Sequence, residues 1–201
     1  MSKKIKGNAD EMKPFPRKKE EDTMAKSRAE IQNMADKLLE EAGIQPCFKP
    51  AIPKLVEHLG LKAGIALDMQ DSILSNLLLR PSADDQAMQR PVDTIVVNGT
   101  KSDKEQRFAT AFQVAAYMLH KDETARYDSN LLSRAVDEGD DERLRLACAL
   151  LMDEKLFTDK FKKAMKGIPN KVAICKNLGS QFGVPPYAVE RRTEELGLSF
   201  N

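Results

Sequence analysis

The chain has 201 residues, with 32 Lys plus Arg against 31 Asp plus Glu and a formal net charge of +1, a near-balance that argues against a generally basic coat for nucleic acid. At 41% hydrophobic and 31% charged residues it can bury one sizeable core in a single globular domain. No run approaches the roughly eighteen continuous apolar residues of a membrane span, and the lysine-rich start lacks the apolar stretch of a signal peptide, so a cytoplasmic protein is expected.

Residues 1–26 interleave Lys3, Lys4, Lys6, Arg17 and Lys18 with Asp10, Glu11, Glu20 and Glu21 around Pro14 and Pro16, the composition of a mobile charged tail. A short basic arm for nucleic acid is the alternative, and the acids weaken its field. Helical periodicity begins at Ser27, an N-cap with Glu30 three residues on, and stops at Gly43. A second helix runs from about Ile52 to His58 and ends at Gly60. The pattern then shifts to short extended runs at 63–68, 72–79 and 94–98, separated by polar residues at 69–71 and 80–93. Leu77 to Leu79 reads as helix equally well, so the middle run is the least defined. Beyond Asn98 the chain reads as almost wholly helical. Helices, then a small three-stranded sheet, then helices make an α+β fold.

The stretch from Arg107 to His120 places Phe108, Ala111, Phe112, Ala115 and Leu119 on one helical stripe, flanked by Ala116 and Met118. On periodicity alone this is a buried helix. Near the C-terminus, Lys171 to Phe182, a turn at Gly183-Val-Pro-Pro186 and Tyr187 to Gly197 have the layout of a helix-turn-helix, whose second helix would offer Tyr187, Arg191 and Arg192 to a DNA groove. Lys160, Lys162, Lys163, Lys166, Lys171 and Lys176 give a basic approach, and Glu190, Glu194 and Glu195 oppose phosphate contact. Cys47, Cys148 and Cys175 form no C-x-x-C pair and suggest neither a disulfide framework nor a zinc ribbon; each is simplest as a small buried residue. His58 and His120 are the only histidines, and a metal site would have to gather them with Cys148 or Glu142 from separate elements.

The run Arg-Phe-Ala-Thr-Ala-Phe-Gln-Val-Ala-Ala-Tyr-Met-Leu-His at 107–120 resembles the active-site helix of the ImmA/IrrE family of metallo-endopeptidases, which reads roughly R-F-T-x-A-H-E-x-G-H-x-L-x-H. Further stretches are similar in the same order. Thr94-Ile-Val-Val-Asn98 resembles the strand before that helix, Leu146-Ala-Cys-Ala-Leu-Leu-Met152 resembles F-A-A-x-L-L-M-P, and 172–198 resembles the C-terminal helical pair. With two N-terminal helices at 34–46 and 52–61, the resemblance covers roughly residues 27–198. It implies a zincin-like fold with a degenerate H-E-x-x-H motif: Phe112 stands at the first histidine, Gln113 at the catalytic glutamate and Ala116 at the second histidine. Glu142 stands near the family's third ligand, and Asp153 replaces the proline after L-L-M.

Zinc hydrolysis needs two imidazoles at i and i+4 and a carboxylate that takes a proton from metal-bound water. Phe112 and Ala116 have no lone pair to give, and the Gln113 amide does not titrate. No cofactor is therefore expected. Glu142 alone reads as a solvated acid in the first turn of a helix, where the dipole favours it. Members of the resembled family cleave or inactivate helix-turn-helix repressors, often in mobile-element or stress control. What the resemblance implies is a pseudo-protease that keeps a protein partner of that type. The alternative is a DNA-associated regulator working through residues 171–197.

Overall fold

Ser27 opens the first helix, α1 (Arg28–Glu41), through a capping box: its hydroxyl accepts from Glu30 N at 3.3 Å and the Glu30 carboxylate accepts from Ser27 N at 2.7 Å. The computed structural model of the chain describes residues 26–71, 73–78, 93–120, 126–128 and 141–200. The tail expected at 1–26 lies outside these residues apart from Lys26, as does the polar loop at 80–93 apart from Asp93. Helix α1 buries Ile31, Ala35 and Leu38, one face at helical spacing. A short second helix, α2 (Ile52–His58), buries Ile52, Leu55 and Val56, with Pro53 in its first turn where a missing N–H costs nothing.

Strands β1 (Lys62–Ala66), β2 (Ser75–Leu78), β3 (Thr94–Asn98) and β4 (Arg126–Asp128) form one sheet in the order β1-β3-β2-β4. β1 runs parallel to β3, and β2 is antiparallel to both β3 and β4. The three expected strands are all present, and a three-residue fourth joins them. Leu77, ambiguous in sequence, is in register with Ile95 across the ladder and fully buried. The middle strand starts at Ser75 rather than 72: ahead of it the Asn98 amide donates to the carbonyls of Gln70 and Ile73, at 3.1 and 2.8 Å, and Ile73 N donates to the Gln70 carbonyl at 2.9 Å.

Helix α3 (Asp103–His120) starts four residues before Arg107. The cause is a second capping pair: Ser102 N donates to the Glu105 carboxylate at 3.0 Å, and Glu105 N donates to the Ser102 hydroxyl at 3.4 Å. Four more helices follow: α4 (Asp141–Leu151), α5 (Glu154–Gly167), α6 (Lys171–Phe182) and α7 (Pro186–Glu195). Asp153, where the resembled family has a proline, is the N-cap of α5 and accepts from Leu156 N at 2.8 Å. Asn170 caps α6 in the same way, accepting from Ala173 N at 2.8 Å.

The helical pair at the C-terminus turns tightly. Gly183 adopts φ +67° as the left-handed cap of α6, and a Cβ on Gly179 would lie 2.7 Å from the Val184 carbonyl. Helix α3 is the centre of the molecule, packed against β2 and β3 on one side and α4 on another, while α1 and α7 pack on α4. The fold is α+β, as the order of elements suggested. Among the described residues no helix is long and apolar enough to cross a membrane.

Candidate functional site

Helix α3 carries the three positions on which the functional reading turns, and all three lie inside the protein. Phe112 is 1% exposed, while Gln113 and Ala116 are fully buried. The burial is wider than one stripe: Phe108, Ala109, Ala111, Val114 and Ala115 are buried as well, because α3 meets the sheet and α4 on different faces. Leu119, assigned to the stripe, is only half-buried.

Gln113 is held by the sheet. Its Nε2 donates to the Ser75 carbonyl at 3.2 Å and to the Ser75 hydroxyl at 3.1 Å, and that hydroxyl donates to the Ala109 carbonyl at 3.4 Å. The orientation of the amide is fixed by chemistry, since the Ser75 carbonyl accepts only and would repel Oε1. Oε1 meets no donor among the described residues, which costs about 1–3 kcal/mol. Gln113 thus links α3 to β2. A neutral amide can donate to a backbone carbonyl; a carboxylate cannot.

Phe112 carries a cation of the chain's own. The Arg143 guanidinium on α4 stands 5.9 Å from its ring centroid, within range of a cation–π contact. Glu142, one residue earlier, accepts from the backbone N of Lys26 and from Lys26 Nζ, the latter at 3.2 Å. Arg145 donates to the Lys26 carbonyl at 2.9 Å. Glu142 is therefore not simply a solvated first-turn acid, as its sequence position suggested, because it ties α4 to Lys26 just ahead of α1. Its partner lies 116 residues away, out of reach of local pattern.

The residues present do not fit a zinc ion. Phe112 and Ala116 bring no lone pair, the donor end of Gln113 faces Ser75, and the carboxylate of Glu142 is engaged by Lys26. Four-coordinate zinc takes Cys, His, Asp or Glu ligands. Among the described residues no group of three or more of these is gathered. His58 is exposed at the end of α2, Cys148 is buried against the Ala188 carbonyl, and the His120 side chain lies outside the described residues. Burial pushes the Cys148 thiol far up, with the Arg192 charge opposing, and pushes Cys175 up to about 11. Cys47 departs from the expectation of a buried thiol and is exposed.

The candidate DNA contacts on α7 separate. Arg192 is fully buried: Nε donates to the Met152 carbonyl at 3.1 Å, Nη1 to Glu195 at 3.0 Å and Nη2 to the Gln32 side chain at 2.5 Å. That corrects its assignment as a phosphate or base contact, since its donors are spent inside the fold. Arg191 is partly exposed and lies 3.6 Å from Glu194. Tyr187 is 40% exposed, with its ring edge-on to Phe108 at 5.4 Å, and burial of the phenol raises its pKa. Lys171 is bound to Glu190 at 2.7 Å, and Lys160 stands 5.0 Å from the Phe48 ring centre.

The geometry keeps a strand, a central helix and a helix beyond it in the arrangement the motif order suggested, with core packing and amide hydrogen bonds where ligands would stand. No curated protein matches the chain. A family model, Peptidase_M78, described as the IrrE N-terminal-like domain, matches residues 74–194, which takes in β2, α3 and α4 and extends through most of α7. That match spans more than half of the sequence, and the chain belongs to the Peptidase_M78 family.

Proposed function

We propose that this chain is a catalytically inactive member of its peptidase-like family, acting by binding a protein regulator of the helix-turn-helix repressor type. The observation that carries the reading is that the three motif positions serve the core: Phe112 and Ala116 are packed, and Gln113 is hydrogen-bonded to Ser75. Zinc hydrolysis would require two imidazoles and a titrating base, and Phe112, Gln113 and Ala116 supply neither. Partner holding makes no such demand, because a binding surface needs shape and charge rather than a nucleophile. Competition with an active relative for a repressor, or a change in the repressor's DNA affinity, follows from that.

The test is cleavage of casein and of helix-turn-helix repressors by the purified chain, with and without a chelator. No cleavage, together with saturable repressor binding, is the expected result. Cleavage that the chelator abolishes overturns the proposal. The DNA-associated alternative keeps Tyr187 and Arg191 as its residues, and it predicts duplex binding that weakens with salt and with Arg191→Ala.

A further inference from the structure

A groove of about 1150 Å³ lies between the end of α5, the start of α6 and residues 197–200. Phe161, Met165, Ile168, Leu198 and Phe200 make its apolar part, and of these only Phe161 is fully covered. Lys162, Lys166 and Lys171 are its charged residues, and no acid is among its lining residues. The walls are held in place: Phe200 packs edge-on to Phe161 at 5.2 Å, Lys171 Nζ stands 5.3 Å from the Phe200 ring centre, and Asn170 caps α6. We infer that this groove docks an acidic amphipathic helix of a protein partner.

Three observations lead there. Lys162 and Lys166 are exposed four residues apart on one face of α5, and neither has a carboxylate partner among the described residues. Like charges at that spacing repel, so both lysines gain when an acid arrives between them. The apolar residues call for an anchor and the lysines for carboxylates, which together describe a helix with one leucine-like face and glutamates beside it. Two turns of helix, about 11 Å long and 10–12 Å across, occupy roughly 1000 Å³, the scale of the groove. The surface is also separate from the degenerate motif, since α3 meets α6 at Ser180, which Lys104 reaches at 3.0 Å, toward the other end of α6.

This inference rests on the partner-binding reading and adds the surface to it. The probe is a fluorescein-labelled peptide of leucine and glutamate with its leucines on one helical face, followed by anisotropy against the full chain. Saturable binding is expected, weakened at least about tenfold by Lys162→Glu with Lys166→Glu, by added salt, and by replacing the peptide's leucines with serine. Lys37→Glu with Lys62→Glu, charge reversals elsewhere on the surface, should leave it unchanged. No saturable binding to the unaltered chain, or binding indifferent to the Lys162 and Lys166 reversals, overturns the inference. Tighter binding of a labelled DNA duplex that the same reversals abolish overturns it too, and assigns the lysines to phosphate. None of these results touches repressor binding by the unaltered chain or its zinc content, so failure of the groove and failure of the partner reading are separable.

Discussion

Arg192→Ala separates a structural arginine from a DNA-reading one, and the structure sets the size of the effect. The substitution removes a fully buried guanidinium that donates to Met152, Gln32 and Glu195. It leaves the Glu195 carboxylate, whose side chain is 3% exposed, with Arg145 at the longer distance of 3.7 Å. Removing one partner of a buried pair costs about 3–5 kcal/mol, because the remaining charge stays desolvated. For a domain of this size that is a drop in Tm of about 6–20 °C. Arg191→Ala, at a partly exposed residue with Glu194 at 3.6 Å, should cost less than about 1 kcal/mol. Urea unfolding of the two variants, followed by far-UV circular dichroism, measures both. Equal stabilities, with duplex binding lost only in Arg192→Ala, would refute the reasoning.

Four further outcomes follow from the same structure. Gln113→Glu places a carboxylate against the Ser75 carbonyl, so it should destabilise by about 2–4 kcal/mol at pH 7 and by less near pH 4, where the buried acid is protonated; an equal loss at both pH values, relative to the unaltered chain, counts against this. Gly179→Ala drives a Cβ to 2.7 Å from the Val184 carbonyl and should cost about 1–3 kcal/mol in urea unfolding, whereas an unchanged midpoint would mean the turn can yield. With Ellman's reagent at pH 8, the exposed Cys47 should react in the native chain and all three thiols only after unfolding. Burial of Cys175 also makes stability depend on pH. Its folded pKa, raised to about 11 from 9.0, lets the folded state hold its proton longer than the unfolded chain, so stability is unaffected below pH 9 and falls as pH rises from 9 toward 11.

Local signals were legible in the sequence where one or two turns of chain decide the structure. The Ser27 and Glu30 capping box, the stop at Gly60 and the α6 cap at Gly183 follow from side chains within a few residues of each other. The order of elements, and with it the α+β class, was readable for the same reason. What sequence did not disclose depends on partners far along the chain. The stretch ahead of β2 is bonded to Asn98 from across the sheet, and Glu142 to Lys26. Arg192 looked like a surface cation on a polar helix, and only the approach of Gln32 from α1 and of Met152 at the end of α4 encloses it. Phe112, Gln113 and Ala116 were legible as residue types, while the anchoring of Gln113 to Ser75 needed the fold. The groove beside α5 combines residues 161–174 with 197–200, a pairing that no local spacing announces.

On the proposed function, α3 holds no metal, and Phe112, Gln113 and Ala116 serve the core instead. Zinc content of the purified chain, measured by mass spectrometry before and after incubation with zinc and desalting, tests it most directly. The account predicts far less than one zinc per chain in both samples. One tightly held zinc per chain would contradict it, and His58, His120, Cys148 and Glu142 would then be the ligands to replace.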